Sequence, residues 1–490
     1  MLIVNGHWLR LQTWHTTFAD NIFMQNLYRK NRSFITLLLI LAAAPAFAQY
    51  NQDSLREVDD SLFKEAIANG SITHTPRFNI HFQTTYIYQY QPAFNSPYSS
   101  QNSLHAAEDK ENSITSTLYL GIRLWKGAEI YINPEVAGGS GLSGAFGLAA
   151  STNGETFRVG DPSPTLYLAR GYFAQTFQLG KAGTTNVPEA YNELGGGKPN
   201  NYLKFIIGKM ALSDIFDNNV YASSPRSQFM NWCLMNNGAW DYAANLRGYT
   251  YAFATILQQG NMTYKAALAT LPVTANGSDL NTDLSQEYAI NAEIDHAIKI
   301  HKRNGNIRLL GYYNNGHMGN YADALTQSVV LSQPPNIIGT RQYGRTKTGI
   351  GLSADQQIND FAGVFLRAGW NDGKNETWAF TEADRELSAG LSLTGAEWHR
   401  ENDNVALAVD INGLSADHKN YLAAGGMGFQ LGDGKLNYAN ETAVELYYNF
   451  KPMAISGLWL TADYQLVLNP GYNADRGPVN VFSFRVHVEF

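Results

Sequence analysis

The stretch "VFSFRVHVEF", residues 481–490, decides the fold. Read by twos, Phe482, Phe484, Val486, Val488 and Phe490 fall on one side, and Ser483, Arg485, His487 and Glu489 on the other. A β-strand sends alternate side chains to opposite faces, so this strand has one apolar face and one charged face. Chain ends are usually frayed and polar. A strictly alternating strand that ends on an aromatic ring is therefore the pattern to be explained.

Composition narrows the explanation. The chain has 490 residues, of which 16% are charged and 12% aromatic. Soluble domains carry roughly 25% charge. Mean hydropathy is nevertheless −0.27, too polar for a helical membrane protein. Hiding apolar residues at alternate positions reconciles these values. The formal net charge is −7, which argues against a nucleic-acid partner.

The N-terminal region reads as a targeting segment. "LYRKNRSFITLLLILAAAPAFAQ" has a basic stretch at Arg29, Lys30 and Arg32, then an apolar run from Phe34 to Ala44, then Ala46-Phe47-Ala48. This is a secretory signal with cleavage before Gln49, too short to span a bilayer as a helix. Residues 1–48 are assigned to the signal region, with Met24 as an alternative start. Residues 49–76 contain "DSLREVDDSLFKEAIANGS", spaced as a short amphipathic helix and expected in the periplasm or the lumen.

From Arg77 the chain alternates almost throughout. "RFNIHFQTTYIYQY" sets Phe78, Ile80, Phe82, Tyr86, Tyr88 and Tyr90 against Asn79, His81 and Gln83. "ITSTLYLGIRLW" sets Ile114, Leu118, Leu120, Ile122 and Leu124 against Tyr119, Arg123 and Trp125. The same reading recovers about sixteen such segments of roughly ten residues in all, the length of a tilted transmembrane strand. Short connections, such as Lys126-Gly127, 258–261, 301–306, 356–360 and 451–456, alternate with long polar ones near 91–113, 210–247, 271–286, 316–344, 371–386 and 412–439. Tight turns at one rim and long loops at the other distinguish an outer-membrane barrel from a soluble sandwich. The long Gly-rich stretch 180–200 breaks the rule, falling where a short turn belongs and leaving room for an extra strand pair. The fold expected over residues 77–490 is an all-β transmembrane antiparallel barrel of about sixteen strands. The terminal strand runs down to the periplasm and closes on the first, so no edge stays open.

Motifs with chemical associations have plainer explanations. "GSGLSG" (139–144) matches a dinucleotide fingerprint, but no helix follows it. There is no G-x-S-x-G and no H-E-x-x-H. His296 and His301 are wrongly spaced to share a strand face, and the lone Cys233, in "MNWCLM", reads as a small buried residue. No catalytic residue, metal or cofactor is expected. The informative charges are those that parity places on the polar face: Arg123, Glu129, Glu135, Arg170, Glu293, Arg308, Arg367, Glu445 and Arg485. Any one of them suits a merely water-filled interior. Together, both signs interleave with Tyr and Trp. Guanidinium and carboxylate groups hydrogen-bond hydroxyl-rich solutes, whereas a single-sign lumen selects ions.

Three stretches carry a family resemblance: "GKMALSDIFDNNVYASSPRSQFMNW" (208–232) with "GAWDYAANLRGYTYA" (238–252) after it, "LSADHKNYLAAGGMGFQLGDGKLNYANE" (414–441) and "LNPGYNADRGPVNVFSFRVHVEF" (468–490). They resemble the carbohydrate-selective porin (OprB-type) family, from about residue 77 to the end. The resemblance implies sixteen strands and facilitated diffusion of monosaccharides and small sugars. It also implies that 210–247 is a third outer loop folded into the lumen, which brings Asp214, Asp217, Asn218, Asn219, Arg226 and Gln228 to a constriction.

The expected function is passive sugar uptake across the bacterial outer membrane by a monomer or homotrimer. Its partners are small neutral sugars, outer-membrane lipid and the assembly machinery that reads the Phe490 strand. The alternatives are a general or anion-preferring porin on the same barrel, or a sugar-binding surface barrel without transport. A barrel enzyme lacks its nucleophile–base pair, and a plugged transporter needs about 22 strands.

Overall fold

Alternating segments exchange backbone hydrogen bonds only if neighbouring strands run antiparallel in register, and the chain satisfies this by closing on itself. The computed structural model describes residues 77–156, 163–453 and 455–490. The signal region and the amphipathic segment 53–69 lie outside the described residues. Among the described residues, sixteen antiparallel strands form one closed barrel, from Phe78–Gln91 to Val479–Glu489. These two strands pair with each other, from Gln83 opposite Glu489 to Tyr90 opposite Phe482. Phe490 extends the ladder, exchanging backbone hydrogen bonds with Phe82 at 2.9 and 3.1 Å. No helix among the described residues is long and apolar enough to cross a membrane.

Parity sets the two faces. On the last strand Phe482 and Phe484 lie exposed outside, while Ser483, Arg485 and His487 are buried inside. The same alternation puts Leu309, Ile350, Leu391 and Leu446 outside. One sequence expectation fails. Trp125 points outward rather than inward, because the register shifts between Arg123 and Trp125 and carries the indole onto Phe173. A bulge adds a residue to one strand and inverts the parity beyond it.

The two rims differ as expected. At one rim the connections are 126–127, 260–261, 301–302, 358–361, 396–399 and 451–457. Gly127 takes φ 79° in one of the three two-residue turns, with no space for a Cβ against the Thr176 carbonyl. The exception is 179–201, which holds a two-stranded ribbon, Thr184–Val187 paired with Gly196–Pro199. At the other rim, two of the long connections contain helices of two turns or more, Tyr321–Leu331 and Ala416–Ala423. Asn320 and Ser415 cap them by accepting from the Asp323 and His418 amides. Tyr321 stacks on His418 at 4.3 Å, and Tyr421 packs beside it.

Candidate functional site

The barrel's interior is built around segment 211–249, which leaves the strand Tyr202–Met210 and returns at Thr250–Gln259. Its apolar side is a core of Leu212, Ile215, Phe216, Trp232, Trp240 and Tyr242, completed by Trp378 and Phe380 from a second long connection. Trp232 and Phe380 stack with centroids 4.5 Å apart. Asn231 caps the helical turn Trp232–Met235 through the Cys233 amide. Cys233 is fully buried, and burial pushes its thiol well up, as suits a structural residue.

A segment inside a barrel must satisfy its own backbone, and inward-facing charges of the wall do so here. Arg367 donates to the carbonyls of Leu234 at 2.6 Å and Ala222 at 2.5 Å, and its Nε to Asp217 at 3.1 Å. Arg485 donates to Pro225 and Gln228 carbonyls at 2.8 and 2.7 Å. Glu445 accepts from the Met230 and Asn231 amides at 2.6 and 2.9 Å, and Glu293 from the Asp217 amide at 2.7 Å. Asp217 accepts in turn from the Asn237 amide at 2.7 Å. Arg367, Glu445 and Arg485 have no exposed surface. They face inward but are covered, so they anchor the inner segment and do not line open space. Arg308 is similarly buried against Asp355 at 2.5 Å, and Arg123 pairs with Glu129 at 2.8 Å.

The remaining site residues meet around a cavity of about 860 Å³. Arg226, from the inner segment, donates to Glu155 at 2.9 Å, Glu135 at 3.0 Å and Thr117 at 3.0 Å. Glu135 is buried behind it and also accepts from Tyr249 at 2.9 Å and from Tyr167. Burial disfavours the Arg226 cation, but Glu155 and Glu135 more than offset this and hold its pKa above the usual arginine range. Arg170 grips Asp214 with two bonds of 2.6 Å and lies 5.2 Å from the Tyr249 ring centre. Asn218 borders the same cavity and donates to the Asp214 carbonyl at 3.0 Å. The lining holds both signs, Arg170, Lys198, Lys204, Arg226 and Arg247 with Glu155, Glu193, Asp214 and Glu489. Tyr119, Tyr172, Tyr191, Tyr202, Tyr249 and Trp459 supply aromatic faces. No cluster fit to hold a metal occurs among the described residues.

A profile described as "Carbohydrate-selective porin, OprB family" matches residues 102–490. The chain belongs to this family. No curated protein matches it by sequence. Among solved structures, the high-pH form of Pseudomonas putida OprB superposes with a TM-score of 0.64 at 14% identity, over 88% of this chain and 96% of that one. The low-pH form gives 0.44 at 12% identity, over 89% and 98%. The outer membrane channel DcaP of Acinetobacter baumannii gives 0.47 at 10%, over 84% and 97%. The chain is thus a porin of the bacterial outer membrane, a channel and not an enzyme.

Not every residue around the porin's cavity was signalled in the sequence. Glu155 lies in a long connection with no alternation to fix its direction. Tyr191, Glu193 and Lys198 come from the ribbon at 179–201, whose irregular length was the one available signal.

Proposed function

We propose that this porin is carbohydrate-selective in function as well as in family, passing monosaccharides and small sugars by facilitated diffusion. The observation that carries this reading is the pairing of charges around the cavity: Arg170 with Asp214, Arg226 with Glu155, Lys198 with Glu193. Paired charges offer an ion little net field. They still present charge-assisted donors and acceptors to hydroxyl groups, beside aromatic faces suited to the apolar side of a sugar ring. Arg226, Arg170, Asp214 and Asn218 are the residues placed to replace part of a sugar's water, while Glu135 positions Arg226. Binding must stay weak, since a tightly held solute blocks its own path.

Liposome swelling across a sugar panel tests this, together with glucose block of ion current in planar bilayers. Hexoses are expected to enter faster than zwitterions of equal size, and glucose to reduce the current. A conducting pore indifferent to glucose would overturn the reading in favour of a general porin. The same reading takes residues 1–48 as a cleaved export signal, 49–76 as periplasmic or lumenal, and the Phe490 strand as the segment presented to the assembly machinery.

A further inference from the structure

The connection 179–201 stands at the rim where turns are otherwise tight, and it does not hang free there. Polar side chains on the inner face of the strands Phe78–Gln91 and Ala128–Gly139 hold its tip. Asn79 donates to Glu189 at 2.9 Å and to the Ala190 carbonyl at 3.1 Å. Asn133 donates to Asn192 at 3.0 Å. Tyr131 accepts from the Leu194 amide at 3.2 Å, and Gly121 leaves the space its ring fills, since a Cβ there would lie 2.8 Å from it. Tyr191 donates to Glu489 at 2.5 Å, on the opposite side of the first strand. The tip is thus a built part of the lumen. Closing a long loop costs more entropy than a tight turn, and a bare connection between two strands needs none of these bonds.

What the tip places in the cavity is an aromatic platform. The Tyr191 ring lies 4.7 Å from that of Tyr119, inclined at 34°, and edge-on to His81 at 5.4 Å. Its remaining surface borders the cavity, with Glu193, Lys198 and Glu489 around it. Arg226 and Arg170 border the same space from the inner segment and the wall. We propose that the ribbon forms a second sugar-binding station on the short-turn side of the pore. The Tyr191 ring takes the apolar face of a neutral hexopyranose, and Glu193 and Lys198 take its hydroxyls. This rests on the sugar-porin reading above and deepens it: the solute is handed from the arginine constriction to an aromatic step before release.

The test compares glucose block of ion current in planar bilayers for wild type, Tyr191→Ala, Tyr191→Phe and Glu193→Ala. Tyr191→Ala should raise the half-blocking glucose concentration about fivefold, the loss expected for one aromatic contact. Tyr191→Phe keeps the ring and should stay within about twofold of wild type; Glu193→Ala, which keeps the platform, should rise about threefold. If wild type is blocked but Tyr191→Ala and Glu193→Ala are unchanged, the ribbon is only structural and the station is overturned, while the porin reading stands. If Tyr191→Phe loses block as Ala does, the hydroxyl bond to Glu489 matters rather than the ring, and the platform is overturned. If wild type is not blocked at all, the sugar reading falls and the station falls with it. Should Tyr191→Ala give no channels, Glu193→Ala decides alone, because its side chain is partly exposed at the tip.

Discussion

Arg226 and Arg367 are both arginines inside one barrel, and their surroundings give them opposite roles. Arg367 is completely buried and spends its donors on segment 211–249. Replacing it by alanine strands the Asp217 carboxylate and four carbonyls, those of Asp217, Ala222, Leu234 and Met235, which should cost about 3–5 kcal/mol. Urea unfolding in vesicles would read this, and a loss below about 1 kcal/mol would mean that the segment holds itself. Arg226 borders open space, and its loss leaves Glu155 and Glu135 uncompensated. Arg226→Ala should therefore shift the pore toward cations, seen as a changed reversal potential in a salt gradient, and raise the half-blocking glucose concentration about fivefold. An unchanged reversal potential would count against its place at the constriction. Parity in the sequence told which way Arg367, Glu445 and Arg485 point. It did not tell that they are covered, because coverage depends on where a distant loop lies.

At the scale of elements, the interior is filled by connections packed into a frame of strands: 211–249, the stretch of Trp378 and Phe380, the one that carries Glu155, and the tip of 179–201. The frame was legible because a period of two recurs in every strand and lipid punishes exceptions. Trp125 escaped this logic through a single register shift at the end of its strand. The helices Tyr321–Leu331 and Ala416–Ala423 escaped it too, since short helices in polar loops take their stability from tertiary packing. The loop 210–247 was placed inside by family resemblance, and the apolar residues of the observed segment 211–249 explain physically why it stays there. Its Trp232 stacks on Phe380, which locks one connection to another. Trp232→Ala should cost about 3–5 kcal/mol. Because the lost contact joins two inner connections, the mutant pore should also show larger and noisier single-channel conductance. Conductance steps identical to wild type would show that the stack is not what holds the inner segment down.

At the scale of the whole molecule, the barrel exchanges two solvents across one sheet. Phe484 and Phe490 share the outer face and are similarly exposed, at 45% and 40%. Burial within the protein therefore gives no reason for the two positions to respond differently to a charge. The membrane does. Phe490 lies six positions beyond Phe484, about 20 Å along a strand, or about 15 Å of depth at the usual barrel tilt, in an apolar band about 25 Å tall. Phe484, in mid-strand, then sits near the middle of the band, and Phe490, where the strand ends, sits at its edge. An arginine at the midplane costs about 2–4 kcal/mol and one near the interface about 0–1. Phe484→Arg is thus expected to lose about 2–4 kcal/mol by urea titration in lipid vesicles, and Phe490→Arg less than about 1. Equal losses would mean that the terminal strand does not cross the bilayer as its alternation requires. The charged partners on the inner face, Arg485 and His487, answer to the inner segment and the cavity instead, which is why one strand carries two unrelated patterns of residues.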